Sequence, residues 1–399
     1  MRTIAFYLPQ FHAIPENDEW WGKGFTEWVN VKKATPLFEG HYQPRVPQKE
    51  NYYNLLNPEV MSWQVKLAKE YGLYGFCFYH YWFDGHLLLE KPVEQYLENK
   101  ELDLPFCICW ANEHWTKTWV SNKNQILIPQ RYGGKTEWEE HFNYLLPYFL
   151  DPRYIKNNGK PLVIIYRPEL IDCLNDMLDT WDELAKISGL PGLEFGYQQL
   201  GFDLQKNKDD SRFTYNIEYE PPYALNDLEK ANYKLLRNAK RTIVKGMDAV
   251  GVKLSENKKL GLLHKIYEPI WNTVRDFHPQ SLIKQSYDDV WQAVLAHEPT
   301  DEKCVPGAFV DWDNTPRHHE NGRVFIGASP EKFEKYMTEQ IRRAKEVYHK
   351  DMLFLFAWNE WAEGGYLEPD EKFGCGYLEA LRNALVKNGE FDSQKGNAV

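Results

Sequence analysis

A (β/α)8 barrel is the fold this sequence predicts. Three features carry the expectation: eight short apolar runs, helical patterns between them, and polar or aromatic residues gathered at the same end of nearly every run. Parallel strands covered on both faces read as continuous apolar runs and need crossover helices to join them. In such a barrel the chemistry stands on the loops that follow the carboxyl ends of the strands. With 399 residues, the expectation is one barrel domain over 1–399, with a Lys-rich helical insertion at 225–285 and a long aromatic loop after the first strand.

The first run, Thr3 to Leu8, leads into Pro9-Gln10-Phe11-His12, and the second, Tyr74 to Tyr81, into Trp82. Pro105 to Ala111 leads into Asn112-Glu113-His114-Trp115, Leu162 to Tyr166 into Arg167, and Glu194 to Leu200 is the fifth. Phe213 to Tyr219 ends in Glu218-Tyr219-Glu220, Cys304 to Trp312 in Asp311-Trp312-Asp313-Asn314, and Met352 to Trp358 in Asn359-Glu360. Between the first two, Asn57-Pro58 offers an N-cap and a proline at the first helical position; Val60, Trp63, Leu67 and Tyr71 follow at helical spacing, and Gly72 stops the helix. Ser329-Pro330 opens another helix, with Phe333, Tyr336, Met337, Ile341, Ala344, Val347 and Tyr348 as its apolar stripe. The stretch Glu16 to Asn51 is too aromatic for a linker and is expected to fold over the barrel mouth. The last residues, Ser393 to Val399, are expected to fray.

A net charge of −11 argues against nucleic acid or an anionic membrane as partner, since either needs a basic face. The 25 Tyr, 21 Phe and 15 Trp exceed what core filling requires and favour a ligand with stackable faces, as sugars have. Six scattered Cys imply no disulfide framework, and Cys107-Ile108-Cys109 reads as core packing rather than a metal site. The N-terminus shows no basic segment followed by an apolar one, so the expectation is a cytoplasmic protein.

The chemistry concentrates in Trp358-Asn359-Glu360-Trp361-Ala362-Glu363-Gly364, where a buried strand runs out. Glu360 and Glu363 are the expected catalytic pair, because glycosidic cleavage needs one carboxylic acid at the leaving oxygen and a second carboxylate to assist attack. Trp358 and Trp361 are expected as sugar platforms and Asn359 as a binding residue. By position after their strands, Tyr7, Gln10, His12, Trp28, His80, Trp82, Trp110, Asn112, Glu113, Trp115, Trp312, Asp313 and Asn314 complete the expected substrate site, with Glu113 the main competitor for a catalytic role. Asp311-Trp312-Asp313 has the D-x-D form of metal-diphosphate sites, but without a Gly-rich phosphate loop it reads as sugar-hydroxyl binding. Gly133-Gly134-Lys135-Thr136 fails as a phosphate loop because Pro129 stands where the first glycine belongs, and His318-His319 reads as an exposed pair. No metal and no cofactor are expected.

Taken with Tyr7-Leu8-Pro9-Gln10-Phe11-His12, Glu19 to Trp28, Trp110-Ala111-Asn112-Glu113 and Trp312-Asp313-Asn314-Thr315, the final motif resembles the WbsX-like proteins. These are associated with bacterial surface-polysaccharide genes, often labelled glycosyltransferases, and related to glycoside hydrolase family 99. The resemblance runs from residue 4 to about 370. It implies a retaining reaction on an α-linked sugar, in which the residue matching Glu360 deprotonates the sugar 2-hydroxyl to form a 1,2-anhydro sugar. The residue matching Glu363 serves as general acid and then base. Family 99 usually has His where this chain has Ala362, which leaves mannose specificity open. The rival readings are a glycosyltransferase of surface-polysaccharide assembly and a non-catalytic carbohydrate-binding barrel.

Overall fold

The computed structural model describes residues 1–116, 125–201, 204, 208–229 and 282–392. Its main sheet is built on β1 (Arg2–Tyr7), β2 (Gly75–Phe83), β3 (Phe106–Trp110), β4 (Lys160–Ile165), β5 (Glu194–Gln199), β6 (Phe213–Glu218), β7 (Cys304–Val305), β8 (Gly307–Phe309) and β9 (Met352–Phe356). All pair in parallel, in the order β7-β6-β5-β4-β3-β2-β1-β9-β8. The first and last of these are halves of one segment interrupted by Pro306, so the sheet curls into a nearly closed barrel of nine strands.

The expected seventh strand, Cys304 to Trp312, is therefore split, and the physical reason is local. Pro306 has no N–H to give a ladder, although its carbonyl oxygen still accepts from Phe354 N at 3.2 Å. One half turns to β6, with Cys304 opposite Asn216, and the other to β9, with Gly307 opposite Phe354. The crossing is so close that a Cβ on Gly307 would lie 1.7 Å from the carbonyl oxygen of Glu218, so only glycine fits. Two other expected ends also move. β2 runs on to Phe83 and turns into an antiparallel hairpin with His86–Leu88, whereas β9 stops at Phe356.

Helices α1 (Pro15–Trp21), α2 (Trp28–Lys33), α3 (Pro58–Glu70), α4 (Lys91–Glu98), α5 (Lys135–Leu150), α6 (Leu174–Ile187), α7 (Tyr287–Ala296), α8 (Thr315–His318), α9 (Pro330–Glu346) and α10 (Gly376–Lys387) accompany the barrel. The expected caps form. Asn57 Oδ1 accepts from Glu59 N at 3.1 Å and Ser329 Oγ from Lys332 N at 3.4 Å, each ahead of a proline in the first turn. On α9, Phe333, Tyr336, Met337, Ile341 and Ala344 are buried at one-face spacing. Each large apolar side chain so covered contributes roughly 1.5–3 kcal/mol relative to exposure. Trp291 of α7 stacks between Phe309 of β8 and Tyr336 of α9, at 4.8 and 5.5 Å, which ties the helical layer to the wall.

Cys107 and Cys109 are buried free thiols in β3. Most of the expected insertion, residues 230–281, lies outside the described residues, as do 393–399. After it, Ile283–Ser286 pairs in parallel with Arg323–Ile326 in a separate small sheet. Among the described residues no helix is long and apolar enough to cross a membrane.

Candidate active site

A cleft of about 490 Å³ opens where the carboxyl ends of the strands meet the loop after β1. Strand alternation decides what reaches it. Successive side chains point to opposite faces, so Leu8 and Gln10, Tyr79, Tyr81 and Phe83, and Ala111 and Glu113 line the cleft, joined by Phe356, Glu360 and Glu363. Aromatic rings cover the wall: Tyr79 donates to the Tyr219 hydroxyl at 3.2 Å, and Tyr219 packs edge-on against Tyr166 and Phe356. Trp21, Phe25, Asn30 and Lys33 come from the long loop, which supplies one side of the cleft as its aromatic content predicted.

Glu360 sits on a stretch of backbone fixed from every direction. Asn359 Oδ1 accepts from Leu8 N at 2.8 Å and its Nδ2 donates to Leu8 O at 3.1 Å, stitching the turn to the end of β1. Asn359–Glu360 also pairs with Gly365–Tyr366. Gly364 between them has φ +71°, and a Cβ there would stand 3.0 Å from both Arg45 Cζ and Asp313 N. Beneath lies Glu368, a buried carboxylate that accepts from Gln64, Tyr53, Trp358 and Trp361 at 2.7, 2.8, 3.1 and 2.6 Å. Burial pushes its carboxyl up to about 7.

Arg317 joins the two expected catalytic carboxylates. Its Nη2 is 3.0 Å from Glu360 Oε1 and its Nη1 2.7 Å from Glu363 Oε1, while Glu27 Oε2 stands 3.2 Å from Nη2. The guanidinium is carried on α8, whose start is built by the preceding residues. Asp313 Oδ1 accepts from Thr315 N and Oγ1 at 3.1 and 2.6 Å, and Asn314 Oδ1 accepts from Arg323 N at 2.7 Å. Gln10 Nε2 lies 3.5 Å from Glu360 Oε2.

A buried carboxylate with two others beside it is costly to ionise even next to a guanidinium. Burial, with Glu363 and Glu27 adding to it and Arg317 opposing it, raises the Glu360 carboxyl to about 8. An acid whose folded pKa lies above its unfolded value contributes stability that is complete below the unfolded pKa and is lost as pH rises through the folded one. Glu360→Gln removes that loss. Its thermal midpoint is expected to match the parent at pH 4 and exceed it at pH 8.5, by roughly 2 °C per kcal/mol released. Scanning calorimetry at the two pH values checks this.

Most of the other expected site residues stand elsewhere. Trp358 and Trp361 are not open platforms; both are buried, with their indole N–H groups on Glu368. Tyr7 points away from the cleft and donates to Gln64 Oε1 at 2.7 Å, and His12 is buried beyond the lining. Trp28 packs under the loop and donates to Tyr53 O at 2.8 Å. His80 contacts His141 at 2.9 Å, Trp82 stacks on His141 and donates to Glu137, and Trp110 donates to Trp82 O at 3.3 Å, all behind the wall. Asn112 is a brace: it exchanges two 2.8 Å bonds with the Arg167 backbone, and the Arg167 side chain then holds Glu113. Trp312 backs Phe356, with ring centroids 5.5 Å apart. Asp313 accepts from His41 and Gln43 at 2.9 and 2.7 Å, which clasps the long loop, and Asn314 holds the turn before α8. Of the pair expected to be exposed, His319 is exposed at the cleft and His318 is half-buried. Gln10, Glu113, Trp115, Glu360 and Glu363 do reach the cleft.

Sequence reasoning missed Arg317, Glu27, Tyr81 and Glu368. The signal for Arg317 was present, since Asp313-Asn314-Thr315-Pro316 is a helix start and the next residue is a cation at the mouth.

The chain matches the protein family described as Glycosyltransferase WbsX over residues 3–381. It belongs to the WbsX family. Two WxcX proteins of Xanthomonas campestris pv. campestris, from strains ATCC 33913 and B100 and both uncharacterized, are 35% identical to this WbsX-family chain over 387 residues, 96% of its length. It spans about half of theirs, 49%. Among solved structures it is similar to a glycoside hydrolase-like protein, with TM-score 0.54 at 13% identity, covering 96% of this chain and 93% of that one. It is also similar to the GH99 endo-alpha-mannosidase from Bacteroides thetaiotaomicron, with TM-score 0.50 at 14% identity and coverages of 100% and 99%. At such identities the likeness is one of fold.

Proposed function

We propose that this chain is a carbohydrate-active enzyme, and specifically a retaining glycoside hydrolase that cleaves an α-linked sugar in a bacterial polysaccharide or oligosaccharide. The observation that carries the reading is Arg317 bound to both Glu360 and Glu363 in an aromatic-walled cleft. In this reading Glu360 is the base that takes the proton of the sugar 2-hydroxyl, so that the 2-oxygen attacks the anomeric carbon and a 1,2-anhydro sugar forms. Glu363 protonates the leaving oxygen and then deprotonates the water that opens the ring. A base held near 8 is matched to a weakly acidic hydroxyl at working pH. The aromatic wall offers apolar faces to the sugar.

The family's description as glycosyltransferases makes transfer the rival. Transfer from a nucleotide sugar through D-x-D chemistry needs carboxylates offered to a metal and diphosphate. Here Asp311 is paired with Arg45 at 2.7 Å and Asp313 with His41 and Gln43, both are buried, and neither lines the cleft. That favours hydrolysis. The test is a screen for new reducing ends on α-linked bacterial polysaccharides, run with and without sugar nucleotides. Release without a nucleotide sugar is expected. Turnover only in its presence would transfer the assignment to the glycosyltransferase reading.

A further inference from the structure

Behind the wall, on the face of β6 opposite Tyr219, the carboxylates of Glu218 and Glu220 meet the ring of His297, the residue that caps α7. One ligand atom from each of the three lies within 4.8 Å of the others, and all three side chains are buried. His297 Nδ1 is 3.3 Å from Glu220 Oε1 and 4.0 Å from Glu218 Oε2. Yet no aligned hydrogen bond reaches either ring nitrogen of His297 or Glu220 Oε1, although the two residues are only 9% and 1% exposed. Buried groups of opposite sign that were simply paired would align donor with acceptor. These are close without being aligned.

The spacing approaches that of ligands around a common ion: the 3.3 Å separation matches it and the 4.0 Å one is somewhat wider. With zinc bonds of about 2.0–2.1 Å, neighbouring corners of a tetrahedron stand about 3.4 Å apart. The outer contacts are also those that orient metal ligands. Tyr348 donates its hydroxyl to Glu218 at 2.9 Å, and Ala224 N–H donates to Glu220 Oε2 at 3.0 Å. Asp227 Oδ2 stands 3.3 Å from the other ring nitrogen of His297, near enough to become its acceptor once Nδ1 is given to the ion. Arg343, the guanidinium near this cluster, donates to the His297 carbonyl oxygen rather than to either glutamate.

We infer that Glu218, Glu220 and His297 bind a divalent cation of the zinc class through Glu218 Oε2, Glu220 Oε1 and His297 Nδ1. A nitrogen with two carboxylate oxygens suits zinc better than magnesium or calcium, which take oxygen sets. The ion would fasten the end of β6 to the end of α7 and so fix Tyr219, whose ring is in the cleft wall. This is a structural site, separate from the sugar chemistry.

The test uses the full chain, stripped with chelator, dialysed and titrated with zinc chloride in a calorimeter. A single equivalent should bind and raise the unfolding temperature, and cobalt(II) in its place should give the visible bands of a four- or five-coordinate ion. Glu220→Gln and His297→Gln should weaken zinc by 100-fold or more, and Asp227→Asn by about 10–100-fold. A His318→Gln/His319→Gln double variant should bind as the parent does. Zinc affinity unchanged by Glu220→Gln, or no thermal shift of the parent with zinc, would overturn the assignment. If Glu220→Gln fails to fold, the parent's cobalt spectrum decides, and a spectrum identical to the hydrated ion would overturn it.

Discussion

Glu363→Gln is expected to lose about 10²–10⁴ in turnover on the natural polysaccharide while keeping far more activity on a substrate with an activated aryl leaving group. The reason is specific to a leaving-group acid, which matters little when the leaving group needs no proton. Glu360→Gln should be poor on both substrates, because the 2-hydroxyl must still be deprotonated. The two variants thus separate by substrate rather than by size of effect, which kcat on the paired substrates measures. Equal losses on both substrates for Glu363→Gln would remove it from the acid role. A 2-fluoro sugar should be refractory, since the attacking 2-oxygen is missing. A 2-fluoroglycosyl adduct on Glu360 in mass spectra would refute the 1,2-anhydro route.

Arg317→Gln is expected to be nearly as damaging, with kcat/KM reduced by about 100-fold. The variant leaves Glu27, Glu360 and Glu363 together without the cation that all three contact. Arg317 lowers the Glu360 pKa against the pull of burial, so its loss moves that pKa further above about 8. A base works only when deprotonated, so activity falls on the acid side of its pKa. The acidic limb of kcat/KM, expected near pH 8 in the parent, should therefore shift to higher pH. Arg317→Lys should restore the limb but not the rate, because an ammonium keeps the charge and loses the planar fork that spans both carboxylates. A rate loss with an unmoved limb would mark Arg317 as merely structural.

The barrel was legible because its causes are local and repeated: apolar runs of strand length, Asn57-Pro58 and Ser329-Pro330 as helix starts, and polar clusters at one end. The break at Pro306 was not read, although a proline inside a run is itself the signal. For the site, the position of the carboxylate pair in the cleft was legible from its setting, whereas part of the expected lining has the wrong phase. On β2 the cleft is faced by Tyr79 and Tyr81 rather than His80 and Trp82, and after β3 by Ala111 and the expected Glu113 rather than Trp110 and Asn112. A one-residue error in phase exchanges the two faces of a strand. Trp358 and Trp361 misled for another reason. Indole serves a sugar and a buried carboxylate equally well, and the partner that decides, Glu368, lies several residues on and could be matched to them only through tertiary structure.

The most direct test of the central claim is a ¹H NMR time course on an α-linked oligosaccharide that the chain cleaves, with no sugar nucleotide present. The account predicts that the α-anomer of the new reducing end appears first and then relaxes toward the β form by mutarotation, with the signal abolished in Glu360→Gln. First appearance of the β-anomer, or undiminished release by Glu360→Gln, would contradict it.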